Sequence, residues 1–141
     1  MPIKKRPYNI GGYSVHQYVF TPDAELGAVI TTGDAQGSIY VSGPVPEIVK
    51  RIFSVCEVAP LTTAATWQIE YYSDEDMDTV GSWTEIESFT HTAAHLSVAS
   101  TSGFTNEVIP ARRAIRFNVD AVGGTAAQNV TVTMEVHRPI Q

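Results

Sequence analysis

Two stretches in the last third of the chain alternate apolar and polar side chains with a period of two. In one, Ile115, Phe117, Val119 and Ala121 alternate with Ala114, Arg116, Asn118 and Asp120; in the other, Val130, Val132, Met134 and Val136 oppose Thr131, Thr133, Glu135 and His137. Successive side chains of an extended strand point to opposite faces, whereas a helix repeats its apolar stripe every three to four residues, so both stretches read as half-buried strands. Residues 122–129 between them carry Gly123-Gly124, and the two strands read as a hairpin. The same alternation occurs in residues 66–72, where Trp67, Ile69 and Tyr71 share one face and Gln68, Glu70 and Tyr72 the other.

The rest of the chain supports the same class. Leucine occurs only at positions 26, 61 and 96, while Val, Ile and Thr occur throughout; branching at Cβ restricts χ1 and suits a pleated surface. The runs 14–20, 28–31, 38–42 and 50–58 are each bounded by Gly, Pro or Asp, as successive strands are. Residues 43–47, GPVPE, read as an edge or loop, with Pro46-Glu47 able to open one helical turn. After an acidic loop at 73–82, residues 83–89 resume as a strand and pair back on 66–72; Trp83 and Ile86 can both face the core only with a bulge. Residues 90–105 show no sustained period, although 91–96 admit a helical turn. Seven or eight short strands without βαβ alternation predict an all-β chain, an antiparallel β-sandwich of jelly-roll type over residues 13–141. Residues 1–12 read as an extended basic N-terminal arm, with Lys4, Lys5 and Arg6 between Pro2 and Pro7, and with Ile3, Lys4, Lys5, Arg6 and Tyr8 as its contact residues.

Composition narrows the function classes. A chain of 141 residues with 43% hydrophobic and 17% charged residues has the length and core of one folded domain. No apolar run reaches the roughly 20 residues that span a bilayer, and the first twelve residues lack the apolar stretch of a secretory signal, so a soluble, cytosol-made protein without a membrane partner is expected. The net charge of -6 argues against direct nucleic-acid binding, which needs basic surface to displace counterions.

Chemistry-bearing patterns are few. Asp74, Asp76 and Asp78 occupy alternate positions and Glu85 lies eleven residues after Asp74, the oxygen spacing of a calcium loop; Thr79 stands where such a loop needs its glycine, and the flanks are strands. Otherwise no cofactor is expected. His91 and His95 would share a helical face as a metal pair, without the glutamate of a zinc protease. No GxSxG elbow is present, and Cys56, the only cysteine, lies in the apolar run 52–58 as a small buried side chain, so the expectation is that the chain is not an enzyme. Arg112, Arg113 and Arg116 form a small basic patch that Asp120 and Glu107 can neutralise.

The order TWQIEYYSD, GSWTEIESF, RRAIRFNVDAV, GGT and VTVTMEVH, over roughly the C-terminal half of the chain, resembles the sandwich domains of accessory virion proteins of tailed bacteriophages. These are head decoration (cement) proteins and head-fibre or tail-associated modules. The resemblance implies a non-enzymatic virion structural protein, made in the host cytoplasm. It would bind itself as a homo-oligomer, a trimer by preference, and the major capsid protein or another virion protein. The strand, acidic loop, Trp and strand pattern is also similar to discoidin-like and other carbohydrate-binding sandwiches. That alternative, a carbohydrate- or cell-surface-binding module, needs exposed aromatics, for which Tyr72, Tyr8 and Tyr13 are the candidates, with Arg112 and Arg113 as further surface contacts.

Overall fold

The computed structural model describes residues 12–22 and 30–140. These contain nine strands and no helix: β1 (Tyr13–Phe20), β2 (Tyr40–Val41), β3 (Glu47–Val55), β4 (Ala65–Tyr72), β5 (Trp83–His91), β6 (Ser97–Ser100), β7 (Val108–Ile109), β8 (Ala114–Ala121) and β9 (Thr131–Pro139). They form two antiparallel sheets. One runs β1-β9-β3-β6, with β7 also on β3, and the other runs β2-β8-β4-β5. Of the consecutive strands, only β4 and β5 are hydrogen-bonded to each other as a hairpin; β1–β2, β2–β3, β3–β4, β5–β6, β7–β8 and β8–β9 all pass from one sheet to the other. That wrapping of a five-stranded and a four-stranded sheet is the jelly roll.

The inward faces of the two sheets meet in an apolar core. Phe20 of β1 stacks on Phe117 of β8 with centroids 5.3 Å apart, Trp67 of β4 lies 6.0 Å from Phe117, and Ile52, Ile69, Ile86 and Met134 are fully buried around them. Each such side chain contributes about 1.5–3 kcal/mol by leaving water. In the β4–β5 ladder, Ile69 pairs with Glu87 and Glu70 with Glu85, so Ile86 is the extra residue of a bulge. The bulge turns Ile86 into the core and leaves Trp83 half-buried, against Tyr72 and Arg116.

Several expectations are corrected. The stretches at 113–121 and 130–137 are both strands, but β8 and β9 lie in different sheets and form no hairpin. Alternation reveals which face of a strand is buried and not which neighbour it pairs with. The link between them is held by the 56–64 connection instead, Leu61 and Thr125 exchanging backbone hydrogen bonds, with Gly123 at φ 94° beside Pro60. Glu47 opens β3 rather than a helical turn. The run 38–42 shortens to β2, and Ile30, from the run 28–31, lies in a loop whose N–H donates to Ala127. In 90–105, β5 extends through His91 and β6 follows, so 91–96 is not helical. Arm residues 1–11 lie outside the described residues; Gly12 belongs to the ladder, its carbonyl accepting from the Ile140 N–H at 3.0 Å.

Because Phe117 touches both Phe20 and Trp67, Phe117→Ala opens a cavity between the sheets. The expected outcome is a loss of about 3–5 kcal/mol in unfolding free energy, read by urea denaturation with an unchanged m-value.

Candidate functional site

The outer face of the β1-β9-β3-β6 sheet leaves several apolar side chains in solvent on one regular ladder, whereas other exposed apolar residues, such as Val80 and Leu96, stand singly in loops. Tyr13, Val15 and Val19 project there from β1, at 50%, 60% and 39% exposure, and Val55 from β3, at 41%. Phe53 shares the face, with the Arg51 guanidinium 4.4 Å from its ring centre. Register across the sheet places Val19 against Thr133, Thr133 against Phe53 and Phe53 against Ala99, so small and apolar side chains run in a row from edge to edge. A groove of about 310 Å³ lies at the β3–β6 side, lined by Arg51, Phe53, Val55, Ser97, Val98 and Ala99. Polar groups on the face satisfy one another: Gln17 donates to Glu135 at 2.9 Å.

The other sheet carries a polar network. Arg116 bonds Glu70 at 2.8 Å, reaches Asp34 at 3.7 Å, and lies over the Trp83 ring at 4.1 Å. Asn118 donates to Glu70 and Gln68, and Gln68 donates to Glu85 at 2.7 Å. Burial, with the negative charges of Asp34, Glu70 and Glu85, holds the Asp120 carboxyl above its ordinary value. Arg113 pairs with Glu75 at 3.6 Å, tying the acidic loop to the turn before β8. Arg113 and Arg116 are thus neutralised by Glu75, Glu70 and Asp34, and the expected partners Asp120 and Glu107 make no ion pair with them. Arg112 sits at φ 55° with its N–H on the Gly43 carbonyl.

The four carboxylates of the calcium reading do not converge. Asp74 and Asp76 each accept the backbone N–H two residues on, at 2.9 Å, so these side chains fold the loop upon itself. Glu85 is engaged by Gln68 in the network just described. Among the described residues no group of three or more His, Cys, Asp or Glu side chains is placed to hold a metal ion. Tyr72 is buried rather than free, its hydroxyl donating to Thr79 at 2.6 Å beneath the loop. Tyr13 is exposed and lies beside His137, with centroids 5.8 Å apart. Ile3, Lys4, Lys5, Arg6 and Tyr8 lie outside the described residues.

His91 and His95 do not form a metal pair. His91 ends β5 fully buried, with Nε2 2.7 Å from the His95 carbonyl. A carbonyl only accepts, so Nε2 carries the proton and Nδ1 accepts the Ser54 hydroxyl at 2.5 Å. Cys56 Sγ lies 3.6 Å from the same ring. The trio has the atoms of a nucleophile and its base, but all three side chains are enclosed. Burial pushes the Cys56 thiol up to about 11 and the His91 imidazole down, so neither a thiolate nor an approaching substrate is provided for.

Sequence reasoning missed Glu47. Its carboxylate is fully buried, taking Arg138 Nε at 2.6 Å and the Tyr18 hydroxyl at 2.6 Å. Burial and this carboxylate hold the Tyr18 phenol above its ordinary value. Gly43 closes the cluster, since a Cβ there would stand 2.4 Å from Arg138 Nε. A lone glutamate after two prolines gave no signal, because its partners lie 29 and 91 residues away.

No protein-family model matches the chain, and no curated protein matches it in sequence. Solved structures similar in shape include two at low identity. One is the endo-1,4-β-D-xylanase 10B of Clostridium thermocellum, its CBM22-1 and GH10 modules complexed with xylohexaose, at TM-score 0.40 and 10% identity, covering 87% of this chain and 24% of that one. The other is infectious bursal disease virus, Gx strain, at TM-score 0.41 and 11% identity, covering 89% of this chain and 32% of that one. This chain spans under a third of either, and likeness at this level says nothing of ligand or assembly.

Two outcomes are expected of these groups. The unfolded chain protonates His91 near 6.5, the folded chain only at lower pH. Between those values the unfolded state binds more protons, so the contribution is complete above about 6.5 and is lost as pH falls through that window. Urea titrations across it should show His91→Gln with a shallower decline than wild type. For the acidic loop, calcium at about millimolar concentration should leave the melting temperature unchanged.

Proposed function

We propose that the chain is a non-enzymatic structural protein of a virion, a jelly-roll subunit that decorates or cements the capsid surface of a tailed bacteriophage and works as a homo-oligomer. The observation that supports this best is the apolar outer face of the β1-β9-β3-β6 sheet, where Tyr13, Val15, Val19 and Val55 stand in solvent on a rigid ladder. Apolar surface left on a sheet gains about 25 cal/mol for each Å² that a partner covers, and symmetry multiplies a modest patch. The partners are further copies of the chain and the major capsid protein or another virion protein, with no cofactor, membrane or nucleic acid. The arm, through Ile3, Lys4, Lys5, Arg6 and Tyr8, adds a tether whose effective concentration is set by its attachment to the body.

The carbohydrate-binding reading fits the described aromatics less well. Tyr72 is covered by its loop and Trp83 has Arg116 against its ring, which leaves no stacked platform for a sugar on that sheet.

The test is co-sedimentation with undecorated capsids assembled from the major capsid protein of the same virus. Wild type should pellet with the particles, and Val55→Lys, at an exposed site away from the core, should bind at least about tenfold more weakly. A wild-type protein that ignores capsids but changes tryptophan fluorescence with a polysaccharide would replace this reading with the sugar-binding one.

A further inference from the structure

A sheet edge presents unpaired N–H and C=O groups, and proteins blunt such edges by shortness, lysine, proline, bulges or a covering segment. Three of the four edges of this sandwich are blunted. β2 has two residues and β6 four. β5 is covered by Asn106, whose backbone N–H donates to Ile86 at 3.0 Å and whose side-chain amide donates to the Glu85 carbonyl at 2.7 Å.

Among the described residues β1 has none of these devices from Tyr13 to Gln17. Its eight residues, YSVHQYVF, contain no Lys, Arg, Asp, Glu, Pro or Gly, and its register with β9 is unbroken from Tyr13 to Phe20. Which of its backbone groups are free follows from two contacts. Gly12 accepts from Ile140, so even-numbered residues are the ones hydrogen-bonded to β9. Tyr40 donates its hydroxyl to the Val19 carbonyl from the open side, which confirms that odd-numbered residues point outward. Tyr13, Val15 and Gln17 therefore present their N–H and C=O groups to the free edge, and among the described residues nothing pairs with them.

We infer that β1 is a self-pairing edge, joining a second copy of the chain through an antiparallel β1–β1 ladder about a twofold axis at Val15. In that register Tyr13 of each copy faces Gln17 of the other and Val15 faces itself. The three residues whose N–H and C=O are both free are all used, and the Val19 carbonyl keeps its bond to Tyr40. The occupant is a second copy because the strand is complementary to itself: in an antiparallel pair each outward donor meets an outward acceptor, and no like charges oppose. The exposed Tyr13, Val15 and Val19 of both copies then join on one continuous outer face. This pairing is independent of the virion reading, and it is a twofold contact rather than the trimer implied by the phage resemblance.

The experiment is native mass spectrometry and amide exchange over a concentration series of the intact chain. Twice the chain mass of 15.3 kDa is expected to grow in with concentration. The Tyr13, Val15 and Gln17 amides should gain protection together, while those of Ser14, His16 and Tyr18 stay protected throughout. Val15→Lys, on a side chain already in solvent, should remain monomeric with a native melt, and Val55→Lys should still dimerise. Oxidised Val15→Cys should cross-link to itself, since a hydrogen-bonded pair holds its Cα atoms about 5.5 Å apart, within disulfide reach; Gln17→Cys should not. A single-chain mass at every concentration, a trimer, or a dimer whose Tyr13, Val15 and Gln17 amides still exchange freely would overturn the inference.

Discussion

The contact of Phe20 with Phe117 joins the two sheets, and the rest of the molecule is arranged around it. Each strand can bury only every second side chain, so the core must be assembled from one face of each sheet, and the polar faces must be disposed of outside. The bulge at Ile86 follows from the same demand. Without the extra residue, β5 would turn either Ile86 or Trp83 away from its place, and Trp67 would lose a neighbour in the core.

Polar groups inside this frame are consumed by it. Glu47 is held by Arg138 and Tyr18, His91 by Ser54 and the His95 carbonyl, and Glu70 by Arg116 and Asn118. A buried charge or imidazole is tolerated only when its partners are built in, and a group whose partners are all protein has none left for a substrate.

The all-β class and the sandwich were legible because period-two alternation is a local property: Trp67, Ile69, Ile115, Phe117, Val132, Met134 and Val136 face the core as their spacing requires. Pairing was not legible. β8 and β9 look like a hairpin because they are neighbours in sequence, yet Ile115 pairs with Tyr40 and Tyr71, and Met134 with Tyr18 and Ile52. The same long-range character hid Glu47 and made His91 look like half of a helical metal pair. Spacing in sequence carries such chemistry only when the intervening segment has the assumed shape, and residues 91–95 turn out of a strand. The strand at 14–20 was legible as a run between turn residues, but which of its faces is exposed, and that among the described residues its other edge lacks a neighbour, are facts of sheet order.

The hydrogen bond between Ser54 and His91 links strands of opposite sheets, β3 and β5. Apolar side chains packed face to face resist separation but have little preference for one lateral offset over another, whereas a hydrogen bond is directional and weakens steeply when its angle changes. At this end of the sandwich the sheets are therefore keyed against sliding. A shearing load across the sandwich would be carried there first, with the apolar middle following as a bearing surface and not as an anchor.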